Sequence, residues 1–499
     1  MTKDEIKKHI TDTDLFIARA EANVFLVDFY FQAYTRRTAV GVSIGPILAY
    51  ADGRDCRQIG QERKYFTALE KLYRTFLRNP RKTESLFREH WELTRAMRRL
   101  WPGDEKLMSL SDRALLDLWR EIIKIAIRHT ELEAIGEDKG SIVEKIIIPE
   151  IMGRNGWPQQ KTREIINVLS HPDSPAVFTR EKILRLTIAR ELKRRKSIDR
   201  SSKPDRKLAA LINRYLDDFF WMKSSFLQAT VITEKMLIKD LLCFCKNRSK
   251  REIDSELKVI RRDLGALNRR RVVMAKNLRL SRDDRLDIDF IRFIIRWFDD
   301  RKVMMMVKMY YLMLLVYEIG RRSGLKKSEA SSLYQSEIDR LCRGLKIDIR
   351  EAINRSEKRF FAYHLGKRIA HFEGREALEL WNMVRKKNEK AGPIKGTVAC
   401  RGGRKRMGGV VRVVVNPEKS DFKKNEILVT SMTRVEFVPL MHKAKAVITD
   451  EGGIACHAAI VSRELNIPCV IGTKTATDFL TTGDTVAINL ETGEIKKRN

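Results

Sequence analysis

The chain has 499 residues, 43% of them apolar and 33% charged. That is enough apolar material for two to four domains, and it excludes a wholly disordered chain. Lysine and arginine exceed aspartate and glutamate by 33, an excess that can draw phosphates, nucleic acid or an acidic partner. From residue 396 on, 16 basic and 11 acidic residues leave +5, so the preceding 395 residues carry +28.

The opening, MTKDEIKKHITDTD, has no apolar signal core. A cytoplasmic location is therefore expected. Seven cysteines (Cys56, Cys243, Cys245, Cys342, Cys400, Cys456 and Cys469) are scattered without a C-x-x-C pair. Reduced thiols are expected, with neither a disulfide framework nor a zinc site.

Helical spacing begins early in the body. After Ser111, an N-cap residue, Leu115, Leu118, Ile122, Ile125 and His129 fall three and four apart and predict one face of an amphipathic helix. The basic stretch Lys193 to Lys207, with Pro204, reads as an exposed linker. No aromatic residues interleave its charges, so a stacking platform for single strands is not indicated.

No proline occurs between Lys207 and Ala391, as in stacked helices. Within that run Ile253, Leu257, Ile260, Leu264 and Leu267 predict a seam for a helical hairpin or short coiled coil. The most apolar stretch, Val303 to Ile319, is interrupted by Lys308 and Glu318. Its unbroken core, Met309 to Tyr317, is too short to cross a bilayer. His364 and His371, seven apart, predict a shared helix face, and without a nearby acidic pair no metal site is expected there.

From Gly396 the composition changes. This last fifth holds 10 of the 26 glycines, with β-branched runs such as GGVVRVVV and DTVAINL. Strands and turns are predicted, with a boundary at Ala391-Gly392-Pro393.

The informative stretch is Val447 to Thr473, VITDEGGIACHAAIVSRELNIPCVIGT. VIT predicts a buried strand, and Asp450 to Gly453 a turn that uses glycine's conformational freedom. A helix of small residues starts at Cys456-His457, ends at Ile467-Pro468, and CVIG returns as a strand. His457 thus falls in the first turn of a helix, where unpaired amides favour phosphate. A neutral imidazole there is a competent nucleophile.

The string resembles the phosphohistidine signature of the phosphoenolpyruvate-utilising enzymes, which include phosphoenolpyruvate synthase, pyruvate phosphate dikinase and rifampicin phosphotransferase. Their pattern, T-x-x-G-G-x-x-[SC]-H-A-A-I-x-[AS]-R-E-x-x-[IL]-P-x-V-x-G, is matched from Thr449 through Gly452, Gly453, Cys456, His457, Ala458, Ala459, Ile460, Ser462, Arg463 and Glu464 to Ile467, Pro468, Val470 and Gly472. The resemblance extends over about residues 394 to 499. It implies that His457 is the phosphorylated residue. It implies that Thr449, Gly452, Gly453, Cys456 and Thr433 shape its phosphate pocket, and that Arg463 neutralises nearby charge. Two positions depart from the pattern. Ala455 replaces a threonine that is regulatory in some dikinases, and Val435 replaces the first proline of the T-x-P-x-x-x-P loop that starts at Thr433. A fainter resemblance, over residues 300 to 385, is to the helical connector of synthase-like members, with Arg321, Arg322 and Arg355 at its arginine positions.

The expected fold is α+β: a large all-helical N-terminal body, then a C-terminal swivelling β/β/α phosphohistidine domain. Its parts are a helical domain (1–196), a basic linker (197–206), a helical connector (207–392) and the swivelling domain (394–499), with the breaker near Gly392 as hinge. No Gly-rich phosphate loop or G-x-x-x-x-G-K-[ST] pattern is present, and no barrel follows the last domain. The resemblance therefore implies a phosphotransferase component, incomplete alone, that carries phosphate between a separate ATP-grasp protein and a small-molecule acceptor. ATP and Mg are expected on that partner subunit, with no cofactor held firmly here and no membrane involved. The alternative is a basic scaffold for RNA or an acidic partner, with a vestigial or regulatory C-terminal domain.

Overall fold

Asn79, Ser111, Asp205, Ser249 and Ser281 each stand one residue ahead of a helix. Each accepts a backbone N–H from the first turn, which satisfies one of the amides left unpaired at a helix start. The structure is a computed structural model. It describes residues 2–498 apart from 13–15, 35–37, 53–54, 135–141, 195–204, 227, 247, 352–358, 366–367, 390–393, 418–419, 434–436 and 453–455. The chain divides into two compact units, one of Thr38–Val42 and Tyr65–Lys326, the other of Met1–Arg37, Ser43–Lys64 and Lys327–Asn499.

The first of these is helical. Its longest element, Arg282–Arg322, packs on Pro80–Leu100 and Asp112–Glu133. Phe76, Phe87, Phe290, Phe293 and Trp297 meet here, edge-on except for the stacked pair Phe76–Phe293. The predicted face of Asp112–Glu133 is rotated by part of a turn. Leu115, Ile122 and His129 are buried as expected, but Trp119, Ile123, Ala126 and Thr130 join them, and Leu118 and Ile125 are half-buried. The seam of Lys250–Asn277 is covered only at its start. Ile253 and Leu257 pack on Leu186, Ala189 and Cys245, whereas Leu267 is exposed.

Arg282–Arg322 is long and apolar enough to cross a membrane, yet 83% of its most apolar window is buried inside the structure. At its centre Lys308 is completely buried. Its ammonium donates to Glu133 Oε2 at 2.7 Å and to Thr130 Oγ1 at 2.6 Å. Burial pushes this amine down to about 8, against the pull of Glu133. Beside it runs a chain of buried polar contacts. Trp297 can only donate, so its Nε1–H makes His90 Nδ1 an acceptor at 3.1 Å. His90 Nε2 lies 3.2 Å from His129 Nδ1, which also lies 3.0 Å from Glu133 Oε1, and His129 Nε2 lies 3.1 Å from Thr94 Oγ1. Thr94 passes its own proton to the His90 carbonyl. Both imidazoles are neutral in this scheme, in line with burial, which pushes both well below the ordinary histidine range.

The body before residue 392 is not all helical. Strands β1 (Phe16–Glu21), β2 (Ile47–Asp52), β3 (Asp55–Gly60), β4 (Arg359–Leu365) and β5 (Arg368–Glu373) form an antiparallel sheet of order β1-β3-β2-β4-β5. Period two explains it. Phe361 and Tyr363 join Leu48 and Tyr50 on one face, against helices Lys3–Asp12 and Gly374–Glu389, where Tyr50 stacks on Trp381 at 4.9 Å. Phe360 and His364 point to the other face, toward Tyr334 and helix Val24–Tyr34. The expected boundaries at 196 and 206 do not separate units, since Val177–Arg194 packs on Arg206–Phe219 within the helical one. Most of the expected linker lies outside the described residues, as does the breaker at 391–393.

Eight further strands close the chain: β6 (Ile394–Lys395), β7 (Thr397–Cys400), β8 (Arg406–Val413), β9 (Ile427–Thr430), β10 (Ala446–Thr449), β11 (Cys469–Ile471), β12 (Thr485–Asn489) and β13 (Glu494–Arg498). Their order is β6-β13-β12-β8-β9-β10-β11-β7, with β8 to β11 parallel. Alternate residues face opposite layers. Ile427, Val429 and Ile448 pack with Val486, Ile488 and Ile495 of the antiparallel strands. Leu428, Val447 and Cys469 pack against Ala458 and Ala459 of a helix. At the far edge Gly493, with φ of 75°, lies so close to Gly396 that a β-carbon would sit 1.9 Å from the Gly396 carbonyl oxygen.

Replacing Lys308 with methionine leaves Glu133 buried without its cation. Lys308→Met is expected to lower unfolding stability by about 3–5 kcal/mol. The double variant Lys308→Met, Glu133→Leu is expected to recover most of that loss, with urea denaturation followed by circular dichroism as the measurement.

Candidate active site

The four residues of β10 are all buried, as expected of a central strand in a parallel sheet. The chain leaves its C-terminal end at Thr449, the end of an open α/β sheet where ligands gather. Thr449 Oγ1 donates to the Glu451 carbonyl at 2.7 Å and starts the turn. Glu451 N–H donates to Ser431 O at 2.8 Å, and Lys474 N–H to Asp450 O at 3.0 Å. The turn is thus tied to the loops after both neighbouring strands.

Asp450 is the anchor, buried to within 6% of full enclosure. Its carboxylate accepts the Thr473 hydroxyl at 2.8 Å, the Thr477 hydroxyl at 2.5 Å and the Thr477 N–H at 3.2 Å. Burial nonetheless pushes the carboxyl up to about 6, against those hydrogen bonds. Sequence reasoning missed this residue together with Thr473 and Thr477. The available signal was an aspartate placed directly after an apolar strand.

At Gly452 φ is 118°, and an added β-carbon would lie 2.7 Å from Cys456 Sγ. Only glycine lets the turn pass this close to the helix start. Gly453 lies outside the described residues. Cys456 is the N-cap in extended conformation, with no side-chain cap bond, and His457 is the first residue of the helix His457–Glu464. Ala458, Ala459 and Ser462 seat that helix on the sheet. Its first-turn N–H groups have no partners within the helix.

Thr449, Gly452 and Cys456 are therefore gathered around the start of the His457 helix. Thr433, buried, lies three residues beyond β9, the strand parallel to β10, and 434–436 fall outside the described residues. Arg463 is not brought to the helix start. It sits in the last turn, about 9 Å along the axis from His457, and its Nε donates to Ala399 O of β7 at 3.1 Å.

The arginines of the expected connector are ion-paired. Arg321 and Arg322 both bind Glu318 at 2.8 Å, and Arg322 reaches Asp112 at 2.6 Å. Arg355 lies outside the described residues. His364 and His371 are on β4 and β5, not on a helix, and an acidic partner is present after all. Asp28 Oδ1 lies 3.7 Å from His364 Nε2 and 3.2 Å from His371 Nε2.

Residues 422–493 match the family of the PEP-utilising enzyme mobile domain. That stretch of the chain is similar to this mobile domain. The mobile domain is 51% identical over 92 residues to the phosphoenolpyruvate synthase of Pyrococcus furiosus, covering 18% of this chain and 11% of that one. It is 48% identical over 90 residues to the "Probable phosphoenolpyruvate synthase" of Staphylothermus marinus, covering 17% and 11%. With the phosphoenolpyruvate synthase of Helicobacter pylori it shares 45% over 93 residues, covering 18% and 12%. The chain thus spans only about a ninth of the length of these curated relatives. Among solved structures, the holo-form of Thermococcus kodakaraensis aconitase X aligns at 24% identity over 22% of this chain and all of that one, with a TM-score of 0.17. That likeness is too slight to bear on the fold. The mobile-domain relatives support a phosphotransfer role for this region.

The anchor has a pH signature. Asp450 ionises near 6 in the folded chain and near 4 when unfolded. Its contribution is fully present below pH 4 and is lost as pH rises through 6. Measured against Asp450→Asn, the wild-type protein is expected to lose about 3 kcal/mol of unfolding stability between pH 4 and pH 7, read from urea unfolding at each pH.

Proposed function

We propose that this chain is the phosphoryl-carrying component of a split phosphotransferase, with His457 as the carrier. The observation that supports it most is the position of His457. It opens a helix directly after a glycine turn, at the C-terminal end of a parallel strand, in a segment about half identical to phosphoenolpyruvate synthases. In the first half-reaction an imidazole nitrogen attacks a phosphorus of the nucleotide. The N–P bond forms as the P–O bond to the leaving phosphate breaks, and the electron pair stays on the leaving oxygen. The free amides of the helix start hold the oxygens of the transferred group, whose negative charge the helix dipole favours. In the second half-reaction an acceptor oxygen attacks phosphorus, gives up its proton, and returns the electron pair to the imidazole.

Two easier steps replace one difficult transfer. Movement of the mobile domain between two sites keeps each half-reaction away from the other and from water. Thr449, Gly452, Gly453, Cys456 and Thr433 shape the pocket in this reading. Arg463, held on β7, is left with a structural part. ATP and Mg belong to a separate ATP-grasp partner, and the acceptor is a small molecule.

The test is a search for acid-labile phosphate. The full chain is incubated with ATP, magnesium and host extract, then mapped by mass spectrometry at neutral to alkaline pH, beside His457→Ala. Phosphate on His457 that disappears on mild acidification and is absent from His457→Ala is expected. No label, while a known dikinase is labelled in parallel, overturns the reading in favour of the basic scaffold.

A further inference from the structure

A second set of reactive side chains converges on the five-stranded sheet. In the β4–β5 hairpin Ala362 lies opposite His371 and His364 opposite Ile369. The two histidines are therefore diagonal neighbours on one face. Helix Val24–Tyr34 packs on that face and supplies Asp28. Asp28 and His364 are fully buried, whereas the His371 side chain keeps 22% of its surface exposed.

The carboxylate is oriented. Its Oδ2 accepts the Gln335 N–H at 2.9 Å and the Gln32 side-chain amide at 3.0 Å, so Oδ1 is the oxygen turned to the histidines. The His371 ring is oriented as well, stacked on Tyr334 with 3.8 Å between centroids and 11° between planes. The donor atoms of all three residues lie within 4.8 Å of one another. Metal bonds of 2.0–2.1 Å in a tetrahedron put neighbouring donors about 3.3 Å apart. The distances from Asp28 Oδ1, 3.2 Å and 3.7 Å, bracket that edge.

We propose that Asp28, His364 and His371 bind a divalent transition-metal ion of the zinc type, with its remaining position open to solvent past His371. One carboxylate and two imidazoles are a donor set such ions take. The hydrogen bonds to Oδ2 and the stacked tyrosine are the outer contacts that orient ligands in metal sites. A plain ion pair would need one imidazole on the carboxylate. A second, buried and aimed at the same oxygen, is accounted for by a shared cation. The similar group His90, His129 and Glu133 is different, because the Lys308 ammonium already supplies its positive charge. Bound at the sheet, the ion would join the Val24–Tyr34 helix to a hairpin more than 300 residues later.

The full chain is stripped with a chelator and titrated with Co2+ as a spectroscopic probe, then with Zn2+ alone by calorimetry. One equivalent per chain with visible ligand-field bands is expected, together with a rise in Tm on adding Zn2+. His371→Ala, at the rim of the cluster, is expected to lose that equivalent or weaken it at least about 100-fold. His457→Ala is expected to keep it, which separates this site from the carrier histidine. If His364→Ala fails to fold, the His371→Ala comparison decides alone. No ligand-field bands in the wild-type chain, or the same stoichiometry in His371→Ala, overturns the proposal and leaves an Asp–His ion pair.

Discussion

The mobile domain depends on one buried carboxylate. Asp450 joins the end of β10 to Thr473 and Thr477, on the far side of the helix that His457 opens. The end of β10 is thereby fastened to the segment that follows β11. A nucleophile at a helix N-terminus is useful only if the amides point to the same place in every turnover. Three hydrogen bonds on Asp450 hold the strand end from which the turn departs. The glycine at 452 allows the turn to close on Cys456, where a side chain would collide. Rigidity on one side and clearance on the other meet within eight residues.

The helical unit applies the same logic to a different end. Lys308 and Glu133 place two charges in a fully enclosed space, where each alone would cost several kcal/mol. Together with Thr130 and the polar chain from Trp297 through His90 and His129 to Thr94, they allow one register between three helices. An all-apolar junction of Leu and Ile would tolerate sliding by a turn. This polar one does not, because a shift would strand a charge and two imidazoles. It also explains how a helix apolar enough for a bilayer comes to be packed among its neighbours, with lysine at its middle.

Much of this was legible in the sequence, and what was not has physical causes. The strand, turn and helix around His457 could be read because each is local: an apolar run, a diglycine, then small helix formers. The cap at Ser111 was equally local. The antiparallel sheet was hidden because β2 finds its partner β4 some 300 residues away. FFAYHL and RIAHFE, embedded in a long proline-free run, matched the helical surroundings too easily. That same error hid the meeting of His364 and His371 with Asp28, which spacing along the chain cannot reveal. Arg463 misled in the opposite way. Its place in the signature is local, but its side chain bonds to β7 at the wrong end of the helix for charge at His457.

The contact between Gly396 and Gly493 brings the first and last strands of the mobile domain side by side, β6 on β13. The two strands lie about 5 Å apart. A module with that geometry can be spliced into a host wherever two backbone ends come close, without refolding either party. The stretch of about 90 residues shared with the synthases accounts for about a ninth of their length and about a sixth of this chain. The glycine pair is the clasp that holds these two strands together.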